Sequence, residues 1–369
     1  MTGPLRIGIN ALYLIPGGVG GTEIYLRGLL AALAEIDTVN QYFVFTNRET
    51  GPGLAPTRPN FTPLPQPIRA ASRPVRILWE QIALPLVAAR LRLDVMLNPG
   101  FTAPLFAGCP QVTVFHDLQH VRHPEYFRWF DLPFWQLLLY GSAHVSRILL
   151  ADSQATANDL LHHYRLPANK VRVALLAGDA VFFELAHRRH PEPFLLAVST
   201  LHPHKNLAGL LRAFAEFRRE RPEFRLTVCG LHGFFSGPLH DLRASLGLAD
   251  AVDFPGWIPR AHLHDLYARA WAFVYPSLFE GFGIPPLEAM AAGVPTACSD
   301  IEPIASNVGD AALRFDPYDP VAMVAALRRI VSDEALRQRL AEDGPLRAAE
   351  FSWQKTAAVT LQALRDASR

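Results

Sequence analysis

Residues 272–298 read AFVYPSLFEGFGIPPLEAMAAGVPTAC, and this stretch decides the fold class. It opens with an apolar strand, Ala272–Tyr275, passes through a glycine-rich turn into a short helical segment, and closes with a second apolar strand, Val294–Cys298. A strand, a helix and a strand in this order predict two parallel strands joined by a crossover helix. Short strands alternate with helical patterns along almost the whole chain, so we expect an α/β protein with parallel sheets covered on both faces.

Two carboxylates mark this stretch, Glu280 before the helical segment and Glu288 within it, with seven residues between them. Pro285 and Pro286 favour a first helical turn, because the N–H that proline lacks would be unpaired there. Gly293 follows the helical pattern and is expected to cap its end.

The turn between the two carboxylates is suited to binding anions. Gly281 and Gly283 allow backbone N–H groups to approach a ligand closely. The start of the helix adds a partial positive charge at the same place. Amides that bind anions therefore lie beside carboxylates that accept hydrogen bonds, which predicts a ligand with both phosphates and sugar hydroxyls.

The composition is that of two ordinary α/β domains. The chain has 369 residues, of which 50% are hydrophobic, and its formal net charge is +1. This length allows two hydrophobic cores, and the charge balance argues against nucleic-acid binding. The alternation of strands and helices pauses in a polar stretch, Glu184–Pro193, so we place a domain boundary near residue 188.

We expect residues 1–187 to form one doubly wound domain and residues 188–350 a second. Residues 351–369 are expected to form a final helix that packs back on the first domain. Ligands of open parallel sheets bind beyond the carboxyl ends of the strands. If the two sheets face each other, the binding crevice is a cleft between the domains.

Periodicity predicts the individual elements. Thr22 is the expected N-cap of the first helix, and the segment 51–67, rich in Pro and Gly, is expected to be a loop. The predicted strands are Leu5–Asn10, Tyr42–Thr46, Val95–Asn98, Val112–Phe115, Ile148–Ala151, Phe194–Ser199, Leu226–Cys229, Val252–Phe254, Ala272–Tyr275 and Val294–Cys298.

Three cysteines, Cys109, Cys229 and Cys298, lie far apart, in or beside apolar runs. Their odd number and wide spacing argue against a disulfide framework, so we expect them in the cores and the protein in a reducing cytoplasm. The sequence has no Asp-x-Asp pair and no His/Cys cluster with the spacing of metal ligands. We therefore expect activity without a metal ion.

The sequence predicts neither a secretory signal nor a membrane-spanning helix. The chain enters its first strand almost at once, and the longest apolar candidate, residues 132–150, is interrupted by Gln136, His144 and Arg147. The aromatic side chains of residues 129–135 either cover the sheet or rest on a membrane surface.

Two loops of the N-terminal half follow predicted strands. Gly17–Gly21 is either a tight strand-to-helix turn or a loop that approaches a ligand, and its spacing differs from the Gly-x-Gly-x-x-Gly of dinucleotide sites. His116 ends an apolar strand, where it is either a structural histidine or a functional residue. Asp117 is not expected to orient its ring, because neighbouring side chains on a strand point apart.

Lys205 lies in the loop after the strand Phe194–Ser199, where a helix is expected to begin. A lysine at that position can bind a phosphate that the helix dipole already favours. The alternative is an ordinary surface lysine. If the ligand is a diphosphate, Lys205, backbone amides and helix starts must offset its charge.

Several segments resemble glycosyltransferase family 4, a family of retaining enzymes with the GT-B fold. The longest, Pro276–Pro295, resembles the family signature. Leu201–Leu207 resembles the family's proline-x-lysine-asparagine loop, and Phe254–Pro259 resembles the loop that holds the nucleotide base. His116–Asp117 and Gly17–Gly21 match the family's histidine and its N-terminal glycine loop. With residues 151–153 and 351–353, the resemblance covers nearly the whole chain.

The resemblance implies that the donor is a nucleotide-diphosphate sugar. Glu288 would accept hydrogen bonds from the ribose hydroxyls. Glu280, together with the amides of Phe282 and Gly283, would hold the transferred sugar. Transfer would retain the anomeric configuration, and the leaving diphosphate would help to deprotonate the acceptor.

The same resemblance assigns the remaining site residues. Lys205 would bind the diphosphate, His116 would contact the sugar near its 6-position, and Gly18 would lie close to the phosphates. The implied catalytic residues are His116, Lys205 and Glu280. The implied donor-binding residues are Gly17, Gly18, Gly20, Thr200, Lys205, Trp257, Ile258, Glu280, Gly281, Phe282, Gly283, Ile284 and Glu288.

One feature departs from the family pattern. Many relatives carry an arginine right after the strand or directly before the lysine, where this chain has Thr200 and His204. One phosphate-binding cation is therefore missing or is supplied elsewhere. If His204 takes its place, the donor KM should rise between pH 6 and pH 8 as the imidazole loses its charge.

The leading hypothesis is a hexosyltransferase that uses a GDP- or UDP-sugar, with mannose as the first candidate, in surface polysaccharide biosynthesis. The acceptor would be a saccharide or a lipid-linked saccharide, and the enzyme would be cytoplasmic or peripheral on the inner face of the plasma membrane. Two alternatives remain open, a non-catalytic nucleotide-sugar-binding protein and a sugar-nucleotide 2-epimerase. The sequence predicts no oligomeric state.

Overall fold

A computed structural model describes residues 3–231 and 235–369. The chain divides into two compact units, which are described one at a time. Unit 1 comprises Met1–Leu176 together with Trp353–Arg369, and unit 2 comprises Ala177–Ser352.

Unit 1 is built on a seven-stranded sheet in which every pairing is parallel. The strand order is β3-β2-β1-β4-β5-β6-β7. The strands are β1 (Arg6–Asn10), β2 (Gln41–Thr46), β3 (Phe61–Pro65), β4 (Val95–Asn98), β5 (Gln111–Phe115), β6 (Ile148–Ala151) and β7 (Val171–Val173). The helices between them are α1 (Gly21–Ile36), α2 (Arg73–Arg90), α3 (Gln119–Arg122), α4 (Leu132–Val145) and α5 (Gln154–His163).

Unit 2 contains a six-stranded sheet, again parallel throughout, in the order β10-β9-β8-β11-β12-β13. Its strands are β8 (Glu192–Val198), β9 (Arg225–Cys229), β10 (Val252–Gly256), β11 (Ala270–Tyr275), β12 (Thr296–Ser299) and β13 (Leu313–Phe315). Its helices are α6 (Val181–Leu185), α7 (Leu207–Arg218), α8 (Ser236–Ser245), α9 (Arg260–Arg269), α10 (Ile284–Ala291), α11 (Ile304–Val308), α12 (Pro320–Ser332) and α13 (Glu334–Ala348).

Four of the inner strands are buried along their whole length, as expected for parallel sheets covered on both faces. All residues of β4, β5, β6 and β12 are buried. The apolar face of α7 closes the core of unit 2, where Phe214 and Phe217 pack beside Leu327 and Ile330 of α12. The expected α/β class, with two doubly wound sheets, is confirmed.

The last helix, α14 (Trp353–Ala367), belongs to unit 1, where it packs on α1. Gly28 of α1 permits this contact, because a Cβ atom at that position would overlap the ring of Trp353. The division between the units falls at Leu176, eleven residues before the predicted boundary at 187. Helix α6 lies in this interval and packs on α9 and α10 of unit 2.

The segment 51–67 was expected to be a loop, and that prediction is wrong in part because it contains the edge strand β3. Its prolines, Pro63 and Pro65, are tolerated because β3 pairs only with β2, so their missing N–H groups leave no ladder bond unmade. The short strands β7 and β13, of three residues each, were not predicted.

Two further local predictions are settled by the structure. Thr22 is not the N-cap of α1: Gly20 takes that position, and the Thr22 hydroxyl donates to the carbonyl of Val19 at 3.0 Å. Cys229 and Cys298 are buried, whereas Cys109 is only half-buried, and all three thiols are free. Among the described residues, no helix is both long and apolar enough to cross a membrane.

Candidate functional site

Lys205 and Glu280 form an ion pair at the carboxyl edge of the sheet of unit 2. Lys205 Nζ lies 2.6 Å from Glu280 Oε1, and both side chains are largely buried. Their loops meet because Lys205 follows β8 and Glu280 follows β11, and these two strands are neighbours in the sheet. The Leu278 amide also donates to the His204 carbonyl at 2.7 Å, which joins the two loops through the backbone.

Tyr275 is the third member of this cluster. It is the last residue of β11, and its hydroxyl donates to Glu280 Oε1 at 2.7 Å. Lys205 Nζ lies 3.4 Å from the same hydroxyl. Burial, and next the charge of Glu280, raise the pKa of Tyr275 well above its ordinary value, so the hydroxyl stays protonated and remains a donor.

The turn after Glu280 leads directly into α10. Gly283 is the N-cap of this helix and has φ 88°, a left-handed conformation that glycine adopts without strain. Pro285 and Pro286 lie in the first turn, as predicted, and Gly293 lies just past the end with φ 64°. The N-terminus of α10, whose dipole favours an anion, therefore follows the Lys205–Glu280 pair directly. Because proline has no N–H, only the amides of Gly283 and Ile284 can donate at this end of the helix.

Glu288 lies on the buried face of α10, with only 3% of its surface exposed. The Tyr267 hydroxyl donates to its Oε2 at 3.4 Å. Burial is the main cause that raises the pKa of Glu288 to about 7. The carboxyl group is thus poised to lose its proton near neutral pH, and a ligand that donates hydrogen bonds to it would favour the charged form.

Arg260 and Asp179 form an ion pair, and both of their charges act on the pKa of Glu288. Arg260 Nη2 lies 2.7 Å from Asp179 Oδ2. The positive charge of Arg260 lowers the pKa of Glu288, and the negative charge of Asp179 raises it. Gly178 packs against the Glu288 side chain, since a Cβ there would lie 3.4 Å from Glu288 Cγ.

The base-loop residues lie on a different loop of unit 2, whereas the two positions where relatives carry arginine share the loop of Lys205. Trp257 is 59% exposed just after β10, while Ile258 is half-buried. Thr200 and His204 are also half-buried, in the loop between β8 and α7. Lys205 ends a 3-10 turn, Pro203–Lys205, two residues before α7 begins, rather than at the helix start as predicted.

His202 was not singled out from the sequence, yet it lies close enough to Lys205 to be affected by its charge. Burial and then the Lys205 charge lower the pKa of His202. Its imidazole is therefore neutral at pH 7, so it does not supply the cation that many relatives carry in this loop.

In unit 1, His116 is held by two hydrogen bonds. Its Nδ1 lies 2.6 Å from Asp152 Oδ2, and its Nε2 lies 2.9 Å from the Pro99 carbonyl. Burial by itself would lower the pKa of His116, but the charge and hydrogen bond of Asp152 outweigh it and the pKa is raised. The rings of Tyr25 and Phe101 pack edge-on against the imidazole, each 5.0 Å away.

The strand register explains why Asp152 and not Asp117 orients His116. Phe115 of β5 pairs with Ala151 of β6, so the next residues of the two strands are neighbours. Asp117 Oδ1 instead accepts from the Gln119 amide at 2.9 Å. The prediction that Asp117 would not orient the ring agrees with this geometry.

The glycine loop of unit 1 forms the entry to α1. Gly17 has φ 69° and Gly20 has φ 59°, and the Gly17 amide donates to Glu23 Oε2 at 2.7 Å. Gly18 is exposed, and its amide donates to the Ile15 carbonyl at 2.8 Å. The loop is thus a tight turn with an open outer surface, which leaves room for a ligand.

The described residues contain no group of three or more His, Cys, Asp or Glu side chains that could hold a metal ion. Metal independence itself remains a prediction.

Both halves of the chain match sequence profiles of glycosyltransferases. Residues 19–175 match the profile described as Glycosyltransferase Family 4, and residues 182–347 match Glycosyl transferases group 1. A mannosyltransferase of Mycolicibacterium hassiacum, named MMP alpha-(1->4)-mannosyltransferase, is 32% identical over 72% of this chain and 67% of its own length. The chain belongs to glycosyltransferase family 4. The O-antigen chain mannosyltransferase B of Escherichia coli is 29% identical to this family-4 chain, over 69% of the chain and 70% of its own length.

Solved structures show that this family-4 glycosyltransferase has the GT-B fold. Sucrose-phosphate synthase from Thermosynechococcus elongatus superposes with a TM-score of 0.80 at 20% identity, over 98% of both chains. The Anabaena protein HepE, solved in complex with UDP and glucose, superposes with a TM-score of 0.76 at 18% identity, over 98% of this chain and 100% of its own. The expectation of an enzyme that transfers a glycosyl group is confirmed by the family.

Besides His202, three polar side chains in the immediate surroundings of the site of this family-4 enzyme were not identified from the sequence. Tyr275 was treated only as the end of a strand, although a tyrosine at the carboxyl end of a parallel strand is a signal for a site residue. Arg260 and Asp179 lie far apart in the sequence, and no local pattern indicates that they form an ion pair or that their charges act on the pKa of Glu288.

Proposed function

We propose that this chain is a retaining hexosyltransferase that takes a sugar from a nucleotide-diphosphate donor. Mannose is the first candidate for the sugar and GDP the first candidate for the nucleotide, with UDP as the second. The acceptor is a saccharide or a lipid-linked saccharide, in the synthesis of a surface polysaccharide. The support for mannose is that two relatives are named as mannosyltransferases.

The observation that carries the proposal is the cluster of Lys205, Glu280 and Tyr275 at the N-terminus of α10, with Glu288 on the same helix. A cation beside a helix N-terminus suits a diphosphate. A carboxylate within reach of the same cation suits the hydroxyls of a sugar. The buried carboxyl of Glu288 suits a second set of hydroxyls, those of a ribose.

The charges of this cluster indicate how a donor is held and how its bond is broken. Lys205 forms an ion pair with Glu280, and its ammonium group would also bind an incoming diphosphate. As the bond between the sugar and the diphosphate breaks, negative charge develops on the leaving phosphate. Lys205 and the amides of Gly283 and Ile284 at the start of α10 would stabilise that charge, which is the usual way in which fixed dipoles lower a barrier.

Glu280 is proposed to position the sugar rather than to attack it. A carboxylate that already accepts hydrogen bonds from Lys205 and Tyr275 is a weakened nucleophile, because its charge is shared. The leaving diphosphate would then take the proton of the acceptor on the same face of the sugar, so that the configuration is retained. A metal ion is not part of this proposal.

The proposal is tested by incubating the protein with GDP-mannose, UDP-glucose, UDP-galactose and ADP-glucose, each with and without EDTA and with a lipid-linked saccharide extract as the acceptor. We expect transfer from one donor, insensitive to EDTA, and NMR of the product should show the anomeric configuration of the donor. Donor binding without transfer or hydrolysis would favour the non-catalytic alternative. An inverted product would refute the retaining mechanism.

Peripheral contact with the inner face of a membrane is proposed for unit 1. Helix α4 exposes Phe134, Leu137 and Tyr140 along one side, and Trp129 just before it is 83% exposed. Helix α2 likewise exposes an apolar stripe at helical spacing. The stripe consists of Val75, Leu78, Ile82 and Leu86.

The loop between β4 and β5 contacts both helices. Gln81 of α2 accepts from the Leu105 amide at 2.9 Å, and Leu105 packs against Gly141 of α4. Arginines on or near these elements are exposed, among them Arg73 and Arg128. Apolar side chains beside basic ones suit a surface of anionic lipid.

Sedimentation with vesicles tests this contact. Vesicles that contain phosphatidylglycerol should carry down the wild-type protein at low salt, and less of it at high salt. The Leu137→Ser variant should bind several-fold less, whereas Tyr318→Ser, which changes an exposed aromatic residue of unit 2, should bind as the wild type does. If Leu137→Ser binds as well as the control, this face does not contact the membrane.

A further inference from the structure

Arg76 is a buried cation without a partner. Only 9% of its surface is exposed, and its side chain makes no hydrogen bond or ion pair with any residue that the structure describes. Its Nε is fully shielded from solvent and has no acceptor. A buried charge is costly unless it is paired, so this guanidinium group favours an anion that none of the described residues supplies.

Glu80, the acidic residue whose charge acts most on Arg76, forms its hydrogen bonds with other residues. It lies one helical turn further along α2, and its charge acts on Arg76, but the two groups form no ion pair. Glu80 Oε2 accepts from the Thr102 hydroxyl at 3.0 Å, and Glu80 Oε1 accepts from the side-chain Nε2 of Gln81 at 3.4 Å. Burial accordingly lowers the pKa of Arg76, and Glu80 opposes this only in part.

The surroundings place Arg76 at the ligand-binding edge of unit 1. Tyr13, whose side chain interacts with Arg76, lies in the loop after β1. Its ring packs on Gly100, in the loop after β4, where a Cβ atom would overlap it. Strands β1 and β4 are parallel neighbours, so both loops leave the same edge of the sheet. Ligands of open parallel sheets bind at that edge.

We propose that Arg76 binds an anionic group, a phosphate or a carboxylate, on the acceptor. This inference rests on the proposed function, because it assumes that a saccharide acceptor is a substrate. A planar guanidinium offers parallel N–H donors that match the oxygens of either anion. Lys205 and the α10 amides of unit 2 are assigned to the diphosphate of the donor, which leaves Arg76 for the acceptor.

The test measures how inorganic phosphate and glucuronate stabilise four proteins against heat at constant ionic strength. The proteins are wild type, Arg76→Met, Lys205→Met and the matched control Arg90→Met, which alters an exposed arginine at the end of the same helix, α2. At least one of the anions should raise the Tm of the wild type, of Lys205→Met and of Arg90→Met. The affinity of Arg76→Met for that anion should be about tenfold to a hundredfold lower, as for the loss of a charge-assisted hydrogen bond.

The melting temperature without ligand gives a second readout. Removing an unpaired buried guanidinium should leave the Tm unchanged or raise it, whereas removing a structural arginine would lower it. The proposal is overturned if Arg76→Met lowers the Tm and keeps full anion binding, or if neither anion stabilises the wild type. If binding is instead lost in Lys205→Met and kept in Arg76→Met, the anion site is that of the donor and the proposal fails.

Nucleotide binding, measured on the same four proteins, separates this inference from the function on which it rests. Arg76→Met should bind nucleoside diphosphates as the wild type does. If no nucleotide binds to the wild type, the proposed function fails, whatever the anions do.

Discussion

Replacing Glu288 with glutamine should stabilise the ligand-free protein at pH 8 while it weakens donor binding. Burial raises the pKa of Glu288 from an ordinary 4.5 to about 7 in the folded protein. The unfolded chain therefore loses this proton at a lower pH than the folded one does. The free energy of unfolding of the wild type consequently falls as the pH rises from about 4.5 to about 7.

The size of this effect follows from the shift. At about 1.4 kcal/mol per pKa unit, the charged carboxylate costs the folded protein about 3 kcal/mol at pH 8, and less than about 1 kcal/mol at pH 5. Glutamine resembles the protonated carboxyl group, and it can still accept from the hydroxyl of Tyr267. The stability gained by Glu288→Gln should therefore grow by about 2.5 kcal/mol between pH 5 and pH 8.

The assay is urea unfolding of both proteins at the two pH values, supported by thermal melts. A gain of that size raises the Tm by about 5–10 °C in a domain of this length. The control is Glu342→Gln, which changes an exposed glutamate of the same unit and should give the same small effect at both pH values. A Glu288→Gln protein whose advantage does not grow with pH would refute the reasoning.

Three other predictions concern neighbouring charges. Lys205→Met should lower kcat/KM for the donor by about tenfold to a hundredfold, the worth of a charge-assisted hydrogen bond; unchanged kinetics would remove Lys205 from the site. Asp152→Asn should lower the pKa of His116, because the negative charge that raises this pKa is lost while the burial that lowers it remains. If an NMR titration of the imidazole gives the same pKa in the variant as in the wild type, the pairing is contradicted. The donor KM of His204→Gln should fall between pH 6 and pH 8 as Glu288 ionises, whereas the wild type should show a smaller fall or a rise. Identical profiles would dismiss His204 as a contact.

Most of the fold could be predicted because its signals are local. The strand Val112–Phe115 and the helix Gln154–Tyr164 are given by short apolar runs and by periodicity, and both lie within a residue or two of the predicted bounds. The strand β3 could not be predicted in this way, because prolines at alternate positions argue against a strand unless it lies at an edge. Whether a strand lies at the edge depends on the order of the strands in the sheet, which no local sequence pattern encodes.

For the site, too, the local signals could be predicted and the contacts between distant segments could not. The sequence indicated Lys205 and Glu280 separately, but not that they pair, since the contact depends on β8 lying beside β11. The partner of His116 likewise depends on the register of β5 and β6. Arg76 could not be recognised from the sequence, because what distinguishes it is that it is buried without a partner among residues 3–231 and 235–369.

The most direct test of the account is a thermal-shift panel of GDP, UDP and ADP on the wild type and on Glu288→Gln. At 100 times its Kd, a nucleotide stabilises the protein by about 2.7 kcal/mol, a shift of several degrees. We predict that one nucleoside diphosphate produces this shift in the wild type and a clearly smaller one in the variant. If no nucleotide shifts the wild type, or if the variant responds equally, unit 2 does not hold a nucleotide donor through Glu288.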